Sequence, residues 1–408
     1  MKFDPKKLNA LAVRLHGQQI GVINRLAGDR QIFAFEQGYI DDPQRPTLSL
    51  SFKGRTGGLV TALRPVPRRV PPFFSNLLPE GHLREYLAKL ADVNPEREFF
   101  LLAVLGADLP GALVIEPLGG DAKEDDARHG DDDRPREAVL RFSLAGVQLK
   151  FSAVMEASGG LTVPAGGTGG SWIVKLPSAR FTAVPENEFA MLELARRTGI
   201  VVPDNRLVEM SEIKGLPQEA RAPGKALAVQ RFDRAAGGAP VHMEDFAQVF
   251  GQYPNDKYHF RSYANVASVL WAEAGEAAVA EFVRRLVFSV VIGNADMHLK
   301  NWSLLYPDRR KPVLSPGYDF VATLPYIPND TLALSFGGSR NLSEITPGQM
   351  RRFADTARIP ASSLWKIAVE TAERAVAAWK GLEQADTLPK DLRASIDKQI
   401  LGVAATVK

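Results

Sequence analysis

Between positions 279 and 291 apolar side chains return every third or fourth residue: Val279, Phe282, Val283, Leu286, Val287, Val290 and Val291. That spacing lines one face of an α-helix, and Gly293 marks its end. Downstream the period changes. Residues 302–306 and 313–314 read as two short strands with a turn at Pro307-Asp308, and Pro316-Gly317 forms a second turn ahead of Tyr318 and Asp319. Near the start of the chain, residues 11–16, 21–24, 32–35 and 48–52 are strand-like. Asn94 then caps a helix with Pro95 in its first position, Glu96 and Glu98 in its first turn and Gly106 at its close.

The alternation stops at residues 118–137. This stretch is Gly-Gly followed by Asp121, Glu124, Asp125, Asp126, Asp131, Asp132 and Asp133, with almost no apolar residue, and reads as a solvated linker. From Ala138 the pattern alternates again and runs into a loop at Ser143. Residues 166–170, Gly-Gly-Thr-Gly-Gly, read as a long hairpin turn, since no helix start follows to make an anion site. Residues 171–177 form a strand, a helix runs from Pro185 to near Gly199, and residues 226–229 form another strand. Helical periods return at 350–357, 361–382 and 392–403. No internal repeat is visible.

Composition narrows the class. A chain of 408 residues that is 45% hydrophobic is long enough for two or three cored domains. It has no cysteine, which excludes a disulfide framework, a thiolate zinc site and a cysteine nucleophile. A net charge of +3 is too small to argue for nucleic-acid binding by itself. The first residues lack the apolar core of a signal peptide, and no apolar run nears the ~18 residues that span a bilayer, so a soluble cytoplasmic protein is expected.

The chemistry sits in residues 294–301, Asn-Ala-Asp-Met-His-Leu-Lys-Asn, and in Asp319, eighteen positions after Asn301. An Asp followed five residues later by an Asn, then an Asp before a Phe, is the order in which kinases supply a base and two metal ligands. Asp296 has the chemistry to accept a hydroxyl proton. Asn301 and Asp319 offer hard oxygens to Mg²⁺. His298 is placed to donate to phosphate oxygens, and Lys300 is open between a structural and a phosphate-facing role. Lys175 shares a strand face with Ile173, so its ammonium needs an anion, and a nucleotide phosphate would serve. The helix from Pro185 carries Glu186 and Glu188 in its first two turns, and Glu188, in an Asn-Glu-Phe segment that resembles the Asn-Glu of a kinase family, is the expected orienting partner for Lys175, with Glu186 second. Residues 230–232 follow a short apolar strand where an adenine hinge belongs, and Phe232 offers an apolar wall.

Asp296-x-His298-x-Lys300-Asn301 with the later Tyr318-Asp319 resembles the catalytic loop and metal site of the HipA family, bacterial serine/threonine kinases that act as toxins. The segment Ser143-Leu144-Ala145-Gly146-Val147-Gln148-Leu149-Lys150 is similar to the family's phosphate-covering loop, Ser-x-Ala-Gly-x-Gln-x-Lys. With one glycine it is not a Walker A motif, and Leu149 stands where the best-known members carry Glu. Residues 74–80 and Gly111-Ala112-Leu113 resemble the family's N-terminal subdomain.

The resemblance implies an α+β, protein-kinase-like two-lobed fold: an N-terminal subdomain (1–117), the acidic linker (118–137), a β-rich nucleotide lobe (138–235) and a mostly helical catalytic lobe (236–408). It implies Mg-ATP as cosubstrate, with Asp296, His298 and Lys175 catalytic and Asn301 and Asp319 on the metal. The nucleotide site would comprise Ala145, Gly146, Val147, Gln148, Leu149 and Lys150 with Lys175, then Gln230, Arg231 and Phe232, then His298, Asn301, Tyr318 and Asp319. Ser143 matches the serine that members autophosphorylate. The implied partners are a HipB-like helix-turn-helix antitoxin, operator DNA through that complex, and an aminoacyl-tRNA synthetase as substrate. Two rival readings use the same residues: a small-molecule or lipid kinase, since phosphoinositide kinases carry Asp-x-His-x-x-Asn, and a non-catalytic DNA-binding corepressor.

Overall fold

A computed structural model of the chain describes residues 7–119, 150–156, 160–164, 169–216, 218–343 and 345–407. The expectations for Ser143, for Ala145, Gly146, Val147, Gln148 and Leu149, and for nearly all of the acidic linker lie outside the described residues.

The N-terminal unit is built on β1 (Ala10–Leu15), β2 (Gln18–Leu26), β3 (Arg30–Phe35), β4 (Val66–Pro67) and β5 (Leu113–Pro117), in the antiparallel order β4-β3-β2-β1-β5. The alternating residues Leu11, Val13 and Leu15 of β1, with Ile23 and Phe33, bury one face against α1 (Gln37–Asp41), α2 (Pro72–Ser75), α3 (Gly81–Leu90) and α4 (Glu98–Leu105). Two expectations fail here. Residues 48–52 are not a strand; Leu50–Phe52 is a 3-10 turn, because Ser49 caps it and the Glu244 carboxylate takes both the Ser49 hydroxyl (2.5 Å) and the Leu50 N–H (2.9 Å). The helix expected at Pro95 begins at Glu98: Asn94 spends its side chain on the Glu96 N–H (2.8 Å) in a local turn, and buried Glu98 accepts from Val70 N and Ser75 Oγ.

The second sheet comprises β6 (Lys150–Met155), β7 (Leu161–Thr162), β8 (Trp172–Lys175), β9 (Asn205–Glu209), β10 (Ile213–Lys214) and β11 (Lys225–Gln230), ordered β10-β7-β6-β8-β11-β9. Helix α5 (Val184–Thr198) packs on β11 and β9 and stops at Gly199, whose φ of +93° suits glycine. Alternation along β11 divides its residues between two cores: Ala226 and Ala228 face Phe151 and Val174, while Leu227 and Val229 face α5 and the helical lobe.

The remaining lobe contains β12 (His242–Asp245), α6 (Phe246–Val249), α7 (Tyr263–Glu273), α8 (Glu276–Val291), β13 (Ser303–Tyr306), β14 (Val313–Leu314), α9 (Pro347–Ala357), α10 (Leu364–Trp379) and α11 (Lys390–Thr406). Helix α8 is central. It packs on α7, α10 and α11, and Phe282 meets Trp302 with ring centroids 4.4 Å apart. The β13–β14 hairpin pairs Leu304 with Leu314 and Leu305 with Val313. No helix among the described residues is long and apolar enough to cross a membrane.

Glu244 lies where β12 meets the N-terminal unit, fully buried, and its carboxylate also accepts from Tyr306. Burial raises its carboxyl from 4.5 to about 7, against the pull of the donors from Ser49, Tyr306 and Leu50. A folded-state value above the unfolded one means the folded chain holds the proton more tightly. Its contribution to stability is therefore full below about pH 4.5 and lost as pH rises through about 7. Glu244→Gln should remove up to about 3 kcal/mol of that pH dependence, since a glutamine amide still pairs with these neighbours if Ser49 turns to accept. Urea denaturation of both proteins from pH 5 to 8 checks this. Asp245, also raised by burial, titrates in both proteins, and its repulsion with Glu244 is part of the difference.

Candidate active site

The site starts where α8 ends. Gly293 has φ +71°, and its carbonyl accepts the N–H groups of Thr323 (3.0 Å) and Leu324 (3.1 Å), which ties the end of the helix to the segment following Asp319. Asn294 does more: its Oδ1 accepts from Asp296 N (3.1 Å) and its Nδ2 donates to Asp319 O (3.1 Å). One side chain thus spaces the two aspartates.

Met297 and Leu299 are fully buried and anchor the loop in the helical core. Asp296 lies between these anchors and solvent. The Asn301 amide donates to Asp296 O (2.8 Å), which leaves its oxygen as the group to offer a cation. Tyr258 donates its hydroxyl to Asp296 Oδ1 (2.7 Å). Solvent reaches Asp296, yet protein surrounds it on most sides, and the loss of water holds its carboxyl above the usual carboxylate range despite the Tyr258 hydrogen bond.

Asp319 carries φ +55°, a left-handed conformation uncommon for a non-glycine residue and one that functional sites often hold. Its carboxylate pairs with the Lys175 ammonium, whose other partner is Glu188 Oε1 at 2.5 Å. Burial alone would raise the Asp319 carboxyl, but Lys175, with Lys150 behind it, overrides burial and holds it low. Lys175 in turn is held protonated by the two carboxylates, against the effect of burial. Lys150 sits directly across the strand pair from Lys175, and burial lowers its ammonium to about 8. Asn187, next to Glu188, exchanges two hydrogen bonds with the Ala322 backbone (3.0 Å each), so α5 grips the chain three residues past Asp319. Glu186, the second candidate, is not the partner of Lys175.

Tyr318 fastens the other side. Its hydroxyl donates to Lys300 O (2.9 Å) and lies 2.6 Å from Ser303 Oγ, and its ring stands 5.3 Å from the half-buried ring of Phe232. Gln230 is exposed and its N–H goes to Asp204 O (2.7 Å). The Arg231 side chain turns away from this site. It chelates Asp233 (2.8 and 2.9 Å) and reaches Asp108 of the N-terminal unit (3.2 Å) in a buried cluster with Arg234, so its charge joins units rather than meeting phosphate. His298 is buried edge-on to the Tyr258 ring, 5.0 Å between centroids, and burial lowers it to about 3, so the imidazole is neutral. Lys300 resolves as structural: it is buried and ion-paired with Glu80 at 2.7 Å. Tyr258, Asn294 and Glu80 were not singled out in the sequence. Asn294 stands inside the motif and Glu80 closes the 74–80 segment already noted, so both segments were legible though their contacts were not; Tyr258 is distant in the chain and carries no local signal.

Two family models account for most of the chain: HipA N-terminal domain over residues 11–116 and HipA-like C-terminal domain over residues 142–379. The chain belongs to the HipA family. It is 52% identical over 379 residues, 92% of each chain, to the Sinorhizobium fredii protein named "Putative kinase Y4dM". It is 25% identical over 84% of its length, and 83% of the relative's, to the serine/threonine-protein kinase toxin HipA of Shewanella oneidensis. Among solved structures, the complex of Shewanella oneidensis HipA with HipB and operator DNA contains a chain that matches 97% of this one and 96% of its own length, at 22% identity and a TM-score of 0.72. This shows the fold, protein-kinase-like and two-lobed. The HipA-family chain is thus a homologue of kinases and of a kinase toxin.

Lys175→Met should leave Glu188 and Asp319 without the ammonium they share, with only Lys150 behind them. Removing one member of a buried ionic group costs about 3–5 kcal/mol. Without Lys175 both carboxyls titrate above their unfolded values, so the lost stability returns as pH falls toward 4 and the carboxyls take up protons. Thermal melts of the variant and the parent at pH 7.5 and pH 5 should show a gap that narrows in acid.

Proposed function

We propose that this chain is a Mg-ATP-dependent serine/threonine protein kinase of the toxin type. The observation that carries the reading is the ion trio of Lys175, Glu188 and Asp319, set beside a loop that presents Asp296 and Asn301. Asp319 and Asn301 fit Mg²⁺, which takes one or two protein oxygens and leaves its other positions to water and phosphate. Bound there, the cation would neutralise charge on the transferring phosphoryl group. The protein's own residues do the rest. Lys175 offers its ammonium to the nucleotide phosphates, and Glu188 keeps it charged and aimed. Phe232 and Tyr318 supply an aromatic wall. Asp296 Oδ1 accepts the proton of the attacking hydroxyl, the position in which Tyr258 now donates. Neutral His298 supports the loop from beneath.

The likeness to a HipA held with HipB and operator DNA supports a HipB-like helix-turn-helix antitoxin as partner, with operator DNA met through it. An aminoacyl-tRNA synthetase is the proposed substrate, on family grounds. A phosphoproteome of cells expressing the chain tests that assignment: one dominant synthetase site supports it, and the absence of any new phosphoprotein favours a small-molecule or lipid kinase or a non-catalytic corepressor.

Asp319→Ala should lower phosphate transfer by at least the roughly 10²–10³-fold seen when one transition-state stabilising group is removed. Asp296→Asn should block transfer while ATP affinity stays within a few fold, since the base acts on the acceptor hydroxyl. Transfer from labelled ATP and calorimetric ATP titration check both; undiminished transfer by Asp319→Ala would overturn the assignment.

Ser143 is the proposed autophosphorylation site. A phosphate there adds about −1.5 to −2 charges beside a site meant for ATP phosphates. Intact-protein mass spectrometry after Mg-ATP should show one phosphate that Ser143→Ala lacks, and the phosphoprotein should bind ATP weakly.

A further inference from the structure

Glu80 precedes α3 in the N-terminal unit, far in sequence from every residue of the candidate active site. Its two carboxylate oxygens nevertheless reach two lysines of the helical lobe: Oε2 lies 2.8 Å from Lys257 Nζ and Oε1 lies 2.7 Å from Lys300 Nζ. Both lysine side chains are at most 8% exposed, and that of Glu80 is 13% exposed. Lys300 also donates to Asn76 O (3.1 Å), again in the N-terminal unit. Two buried ammonium groups would repel one another and would each lack a counter-ion if the carboxylate were absent.

The position of the two lysines gives the contact its meaning. Lys257 immediately precedes Tyr258, whose hydroxyl holds Asp296, and the Lys257 carbonyl accepts the N–H of Leu299 (3.2 Å). Lys300 immediately precedes Asn301, and its carbonyl accepts the Tyr318 hydroxyl one residue before Asp319. One carboxylate therefore fastens both strands of chain that set Asp296, Asn301 and Asp319. The seam continues through Asn76 Nδ2 to Gln252 O (2.7 Å) and Gln248 Nε2 to Phe73 O (3.0 Å), which fix the backbone on either side.

We propose that Glu80 is a positioning residue for phosphoryl transfer, and that the N-terminal unit thereby completes the catalytic loop of the helical lobe. This rests on the kinase reading above. Glu80 touches neither nucleotide nor acceptor; it acts through Lys257 and Lys300. Loss of such outer support typically costs 10–100-fold in activity.

The test uses the full chain with Glu80→Asp and Glu80→Gln. Aspartate keeps the charge, so no buried lysine is stranded, but it is one methylene too short to span both ammonium groups. Glu80→Asp should melt within a few degrees of the parent, with the rate constant for phosphate transfer down about 10–100-fold. Glu80→Gln should lose more activity and also melt lower. Amide hydrogen exchange over residues 296–301 should accelerate in Glu80→Asp, a readout independent of whether phosphate is transferred. If the parent chain transfers no phosphate, the kinase reading fails and the exchange measurement still decides the clamp. Parent-like exchange in Glu80→Asp overturns the proposal, as does parent-like transfer by a Glu80→Asp protein made from an active parent.

Discussion

The ammonium of Lys175 is held almost out of water between two carboxylates, and much of the architecture exists to keep those three groups within reach. Lys175 ends a strand in the middle of a six-stranded sheet, Glu188 rides on the helix that packs across that sheet, and Asp319 arrives on a loop from the other lobe. None of the three would sit comfortably there alone. A buried ion is tolerated only with a well-placed counter-charge and its remaining valences satisfied, so α5 and the Asp319 loop have to be fixed to each other. The two hydrogen bonds between Asn187 and Ala322 do that, and the Asn294 bridge fixes the same loop to the end of α8. The net charge of the trio is about −1. Lys150 stands across the strand pair from this trio.

The polar seams between the N-terminal unit and the rest of the chain follow the same logic. Arg231 and Arg234 meet Asp108 and Asp233 in a buried quartet, and the Gly111 N–H adds a fifth contact to Asp233 at 2.8 Å. Glu244 collects donors from both sides, and Glu80 collects two lysines. Buried pairs of this kind add little to stability compared with apolar side chains of equal size, but each is strongly direction-dependent. They fix how one unit sits on the other more than how tightly.

What could be read from the sequence was what is local. The seven apolar positions of α8, the hairpin after it and the strand bearing Lys175 all lie within a residue or two of their observed places, because a period over ten or so residues needs no distant partner to show itself. Glu188 was legible through its Asn-Glu-Phe segment, which resembles the family's Asn-Glu. Apart from the late start of α4, which the local Asn94 turn accompanies, the failures share one cause. The strand expected at 48–52 is overridden by Glu244, 194 residues away; the Tyr258–Asp296 bond spans 38 residues and the Lys257–Glu80 bond 177. The Arg231 side chain follows the same rule: it is committed to Asp108, 123 residues earlier. Local propensity cannot register a counter-charge that arrives from another part of the chain.

The loop from Asp296 to Asn301 shows how these levels combine. Met297 and Leu299 are buried in the same core as Tyr263 and Phe282. Asp296, His298 and Lys300 do not share one environment. Asp296 reaches solvent, His298 is covered by Tyr258, and Lys300 runs into the seam with the N-terminal unit. Six residues therefore read as a motif in the sequence and yet take three different tertiary supports. The apolar anchors set the depth of the loop, Tyr258 sets the Asp296 carboxylate, and Glu80 sets Lys300 beside Asn301. A lobe that kept the motif but lost the N-terminal unit would retain every apolar anchor while leaving Lys257 and Lys300 without their shared counter-ion. In this chain the N-terminal unit and the helical lobe meet at the backbone that carries this loop.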